Sequence, residues 1–228
     1  MDAKDSLNAT KRIVTGLAFV VFPIVFVFAF SVHPGLLNPH LLSPAELIQR
    51  ARGADVLQFG HALVTLNTAL LVVAALHFMH LLDRSSGAWL GAVGGALAVV
   101  GALVLAADKG ALCLTMSALD SLSDAEFANM MPGLLAMFSR QGWLVLLWGI
   151  VLLPAGFALQ AIGLLRAKAL PRWQSLLFLI GVLLIATPDG VEIVNLTASI
   201  LMAIAFVPYG LQLIRGEHHM VVATGATA

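Results

Sequence analysis

In the stretch "PDGVEIVNLTASILMAIAF", Glu192, Asn195 and Ser199 recur at i, i+3 and i+7. That spacing puts a carboxylate, an amide and a hydroxyl on one face of a helix that is otherwise apolar. Such a stripe can bind a polar group or pass a proton, and an ionisable residue within an apolar segment raises a functional hypothesis by default. Asp189, three residues before Glu192, offers the blander reading of a helix cap, because D-x-x-E is capping-box spacing at the positive end of a helix. Other groups of the same kind are His61, Asp108 with Lys109, and Arg140 with Gln141. His61, Thr65 and Thr68 form a second polar stripe, while Asn67 lies on another face and should bond within the bundle. Carboxylates balanced by Arg140 or Lys109, with a histidine nearby, could hold a small polar ligand or serve as general acid and base.

What positions these groups follows from the rest of the chain. Its 228 residues are 60% apolar and 11% charged, against about 25% charged in soluble domains, and mean hydropathy is +0.98. A soluble fold could not hide that much apolar surface, so lipid must be the solvent. Six windows approach the roughly 20 apolar residues of a membrane helix: residues 13–32, 58–82, 88–107, 142–165, 171–187 and 191–214. The first is too long for the apolar core of a signal peptide and no convincing cleavage site follows, so it reads as a retained span. The expected fold is therefore all-α: one polytopic membrane helix bundle over residues 1–228, with six transmembrane helices.

Eight of the twelve Lys and Arg residues lie in the N-terminal tail (Lys4, Lys11, Arg12), after span two (Arg84), between spans four and five (Arg166, Lys168, Arg172) and in the C-terminal tail (Arg215). The positive-inside rule then puts both termini in the cytoplasm, and the chain in a bacterial inner membrane. On this topology His61, Asp108, Lys109, Arg140, Gln141, Glu192 and Asn195 gather near the outer face. Two long outer segments, residues 33–57 and 108–133, join the spans there. In the second, Ser123 and Glu126 have capping-box spacing, and Pro132-Gly133 should end the short surface helix that follows.

Span three carries Gly87, Gly91 and Gly95 at four-residue spacing, with Gly94, Ala98 and Ala102 alongside. Small residues in this pattern let helices approach closely in lipid, so the face should lie centrally in the bundle or at a contact with a second copy or a larger membrane complex. Pro23, Pro154 and Pro208 fall inside spans one, four and six, where neighbouring helices can satisfy the freed backbone groups.

The segments "ATKRIVTGLAFVVFPIVFVF" and "RAKALPRWQSLLFLIGVLLIATPDG", with the long outer segment after the first, resemble a family of uncharacterised six-helix bacterial membrane proteins. Leu170-Pro171-Arg172-Trp173 matches that family's late turn. The resemblance implies the six-helix layout and carries no activity with it.

No metal or cofactor is expected. His77 and His80 lie at the other end of span two, where spans three to six supply no carboxylate or imidazole, and the intramembrane histidines share one helix, which argues against bis-histidine haem. Cys113 is the single cysteine and allows no internal disulfide. There is no basic cluster to bind nucleic acid. The partners implied are the lipid bilayer and a small amphiphilic ligand. Three function classes fit: a binder or carrier of a small polar or amphiphilic molecule or of protons, a membrane enzyme using Asp108 or Glu192 with His61, and an accessory subunit of a membrane complex.

Overall fold

A computed structural model describes residues 3–33, 35–37, 43–137, 143–185 and 191–217. They form eight α-helices and, among the described residues, no strand. The helices are α1 (Ala3–Ser31), α2 (Pro44–Ala51), α3 (Asp55–Leu82), α4 (Ala88–Leu119), α5 (Asp124–Met137), α6 (Trp143–Ala167), α7 (Arg172–Ile185) and α8 (Glu192–Arg215). Among the described residues four helices, α1, α3, α4 and α8, are long and apolar enough to cross a membrane, and Val151–Ala167 within α6 and Arg172–Ile185 are shorter apolar stretches. Expected spans four and five are thus helical, but α7 rises only about 21 Å at 1.5 Å per residue.

Six helices close into a ring in chain order. α3 packs between α1 and α4, α6 between α4 and α7, and α8 between α7 and α1. The short α2 and α5 meet each other at one end of this ring. The outside is apolar: Leu66 is 73% exposed, Leu103 62%, Leu183 60% and Ile204 50%. That much exposed aliphatic surface on four separate helices suits a hydrocarbon solvent, and the bundle is a membrane-associated one.

Glycines set the seams of the ring. A methyl group placed on Gly94 of α4 would come 2.6 Å from the Gly156 carbonyl oxygen of α6, and one on Gly101 would strike the backbone of Leu153. Gly91 and Gly95 face α3 instead, where Leu82 and Met79 fill the space, and Gly87 lies against the Gly163 carbonyl. The small-residue face of α4 is therefore covered by α3 and α6 of the same chain, with Gly87, Gly91 and Gly95 all buried. The ring closes at Gly16 and Gly210, where a methyl on Gly210 would lie 2.5 Å from the Gly16 carbonyl oxygen. Gln160 of α6 ties three helices together: its Nε2 donates to the Ala75 carbonyl of α3 (2.8 Å) and the Gly91 carbonyl of α4 (3.3 Å). Asn67 does bond across the bundle, donating to the Phe22 carbonyl of α1 at 3.0 Å.

Four boundaries differ from the sequence reading, the first being α1, which starts at Ala3, ten residues before the expected span. α4 does not close at Asp108 and Lys109 but continues to Leu119, because "GALCLTMSAL" is apolar and ends in Met116 and Leu119, which are buried beneath the cap. The segment expected to be loop over 33–57 contains α2, opened by a complete capping box between Ser43 and Glu46. The Ser123–Glu126 box that opens α5 is present (2.9 Å and 3.4 Å), but α5 runs through Pro132-Gly133 to Met137. Packing overrides the helix breakers here: Leu134 is buried with Ile48, Met116, Leu119 and Phe127 in a separate apolar cluster.

The seams can be tested by adding single methyl groups. Gly94→Ala and Gly156→Ala meet backbone, which cannot yield without moving a helix, and each should cost about 1–3 kcal/mol of stability. Gly95→Ala meets the flexible Met79 side chain and should cost less, while Ala96→Leu on the exposed face should be near neutral. Thermal unfolding of the purified full chain gives the order, and equal tolerance at all four positions would contradict the close α4–α6 seam.

Candidate functional site

Glu192 is the first residue of α8, and the N-cap before it is Val191, with no side-chain cap. The Asp189–Glu192 capping box is thereby overturned, since a capping glutamate must stand at the third helical position. Asp189 itself lies outside the described residues. The Glu192 carboxylate is turned inward, with the residue only 2% exposed, and its Oε1 lies 3.3 Å from Nδ1 of His33, just past the end of α1. The positive end of α8 adds to the field that favours a carboxylate there. Asn195 and Ser199, one and two turns on, are buried as the stripe requires; the Ser199 hydroxyl donates to the Asn195 carbonyl at 2.8 Å.

Across the ring, Lys109 Nζ lies 3.3 Å from Asp108 Oδ2, and both side chains are largely buried. They stand mid-helix on α4, near the level of Thr65, since a methyl on Gly110 would touch Thr65 at 3.7 Å. The hydroxyls of Thr65 and Thr68 bond to carbonyls of their own helix, His61 (2.9 Å) and Thr65 (2.6 Å), and so contribute no free donor to the stripe on α3. His61, Asp108, Lys109, Glu192 and Asn195 do come together, along with His33: all six line one internal cavity of about 140 Å³. Lys109, expected as a charge partner of Glu192, shares the cavity with it. Arg140, the other expected partner, and Gln141 lie outside the described residues.

Below this polar collar the walls are aromatic. Phe22, Phe26 and Phe30 come from α1, Phe78 from α3, Phe157 from α6 and Phe178 from α7. Their rings meet edge-on or tilted, as Phe157 with Phe178 (5.6 Å) and Phe78 with Phe178 (5.3 Å). Phe206 lies 4.7 Å from Phe178 and Phe19 lies 5.3 Å from Phe206, so the aromatic packing continues beyond the lining residues. A second polar layer follows within one turn. His77 Nε2 and the Tyr209 hydroxyl share a 2.6 Å hydrogen bond, and Gln160, Gln174 and Ser175 are buried nearby in sequence to Phe157 and Phe178. Gln174 Oε1 and Ser175 Oγ have no hydrogen-bond partner among the described residues.

Two parts of this site were not found by sequence reasoning. His33 sits beyond the end of span one, and only its level with Glu192 on the neighbouring first and last spans could have flagged it. The six phenylalanines carry no sequence signal of their own, because inward and outward apolar faces look alike in a membrane helix.

The turns between α2 and α3 and between α4 and α5 are latched over the same end. Arg52 donates to Asp124 (2.8 Å) and to the Leu122 carbonyl (2.8 Å), and stacks over Phe127 at 4.4 Å. Asp120 accepts from the Gly53 N–H at 2.7 Å and from Gln58, and Ser117 donates to Gln58 Oε1 at 2.9 Å. Backbone N–H bonding from Ser43 holds the Glu46 carboxyl below its ordinary 4.5, and the Ser123 hydroxyl does the same for Glu126. Both boxes therefore stabilise their helices fully above that ordinary value and weaken as pH falls below it.

Compared with protein-family models, curated proteins and solved structures, the chain matches none.

The latch separates charge from packing. Asp124 is almost fully exposed (98%), so Asp124→Asn should change little. Arg52→Ala removes the carbonyl bond and the ring contact as well and should raise deuterium uptake across residues 120–134 several-fold. Equal protection in the two variants would show that Arg52 does not hold the cap.

Proposed function

We propose that the chain is a six-span protein of a bacterial inner membrane, with both termini cytoplasmic, that binds or moves a small amphiphilic molecule in the central cavity. The observation that supports this reading is the cavity itself, lined by residues of all six ring helices, polar at the α2/α5 end and aromatic beneath. An amphiphile fits that division, its head in the collar and its apolar body among the phenylalanines. The Lys and Arg asymmetry supports the topology and puts the collar on the outer side. The likeness to a six-helix bacterial family belongs to the same proposal.

Membrane acid–base catalysis is the second reading, and the His33–Glu192 contact favours it, because an imidazole beside a buried carboxylate can relay a proton. A binder should lose ligand-induced stabilisation when Glu192 is changed, whereas an enzyme should lose turnover while still binding.

Reporter fusions at the C-terminus and within the 120–123 turn should report opposite sides of the membrane; the same side for both would end the six-span reading. For the cavity, a fluorescent single-chain amphiphile should stabilise the purified protein and lose about tenfold or more in affinity with Leu105→Trp, which fills the lumen, or Glu192→Gln. Unchanged affinity in both variants would place the amphiphile on the outer surface of the bundle instead.

A further inference from the structure

We propose that the occupant of the cavity is a single-chain lipid: one unbranched hydrocarbon chain of medium length under a small polar head, in preference to a two-chain lipid or a compact ring system. This deepens the proposed amphiphile binding and rests on it. The polarity of the lining is one-ended. His33, His61, Asp108, Lys109, Glu192 and Asn195 form the collar, and every other described residue that lines the cavity is apolar. The helices give the apolar part its depth. Among the lining residues, Phe30 to Phe22 on α1 and Ile185 to Phe178 on α7 each cover about 10–12 Å at 1.5 Å per residue. The apolar lining on α3, from Val64 to Phe78, runs about 21 Å on the same measure.

Volume turns that depth into a shape. The cavity holds about 140 Å³, close to what a compact cavity needs to accept one benzene ring. Here the same volume is drawn out along several helical turns, so it is a slot and not a chamber. At roughly 10–15 Å³ for each water-sized group, and a methylene is of similar size, it takes roughly ten groups in all. One unbranched chain of about that many carbons fills it in single file. A second chain beside the first would have no volume left. Phe22 and Phe78, the lining residues of α1 and α3 farthest from the collar, both pack on Phe206 at 5.6 Å. Met202 is the corresponding residue of α8. A longer chain would meet these packed side chains, which makes the slot a gauge of chain length.

The full chain in lipid nanodiscs can be tested with alcohols, whose hydroxyl head both donates and accepts hydrogen bonds. The probes are the straight primary alkanols from butanol to hexadecanol, the compact adamantanol with the carbon count of decanol, and a secondary alcohol with two octyl arms. Binding is read as ligand-induced thermal stabilisation at equal mole fraction in the bilayer, so that partition into lipid cancels. Affinity should peak near about ten carbons. It should fall at least about tenfold over the next few, because each methylene left outside hydrocarbon loses about fourfold. Adamantanol and the two-armed alcohol should each bind at least about tenfold more weakly than decanol, a gap of about 1.4 kcal/mol. Met202→Ala, which lengthens the slot, should move the peak to longer chains, a shift that loss of packing alone would not produce. Phe22→Leu provides the same test if Met202→Ala fails to fold. A flat response to chain length, or adamantanol or the two-armed alcohol binding as well as the best straight chain, overturns the single-chain inference while leaving amphiphile binding in place. No stabilisation by any alcohol overturns both.

Discussion

The contact between the first and last ring helices is the constraint on which the rest depends. α1 and α8 can touch only because Gly16 and Gly210 present bare backbone to each other. In lipid the apolar effect does not drive helices together, so close packing and hydrogen bonds between helices must do it. The same device recurs between α4 and α6 at Gly94, Gly101 and Gly156. Between these seams lies a space that larger residues of all six ring helices line. A cavity in this position is thus a consequence of where the glycines are, as much as of which residues surround it.

Enclosing that space creates an electrostatic problem. Each buried carboxylate is costly to desolvate unless something compensates it. Asp108 has its neighbour Lys109, and Glu192 has His33 together with the positive end of its own helix. Beneath them, among the described residues, phenylalanine rings stand between this layer and the His77–Tyr209 layer. A function that moves a molecule or a proton would have to rearrange Phe19, Phe78, Phe178 and Phe206.

The architecture was legible where it depends on period and composition. Helix ends fell within a few residues for α3, α6, α7 and α8 and at the C-terminal end of α1, which starts ten residues before the expected span, and the buried stripe of Glu192, Asn195 and Ser199 followed from spacing alone. Errors came where tertiary packing outweighed local signals. Asp108-Lys109 resembled a helix end because charges usually mark the edge of a span, but a polar cavity lets them stand mid-helix. Pro132-Gly133 resembled a stop, and burial of Leu134 carried α5 past it. The pairing of His33 with Glu192 was invisible because it joins the first and last ring helices, a contact that no local pattern encodes. Likewise the aromatic wall shares its composition with the lipid-facing surface, and only the ring's closure separates the two.

The depth of the collar has a further consequence under the proposed topology. Asp108 lies about 30 Å along α4 from Ala88 at 1.5 Å per residue, close to the full thickness of a bilayer's hydrocarbon core. The collar then stands at the outer edge of that core, level with the lipid headgroups, and the aromatic chamber stands within it. The remaining turns of α4 would then project beyond the bilayer; they carry Met116 and Leu119 into the cluster with α2 and α5. An amphiphile lying in the outer leaflet already has its head at the collar's level and its apolar part at the chamber's. It would need to move sideways between helices, or under the Arg52 latch, and would not have to cross the hydrophobic core to reach the site. The charged pairs at the collar and the packed cap above it therefore suit a molecule taken from the membrane interface.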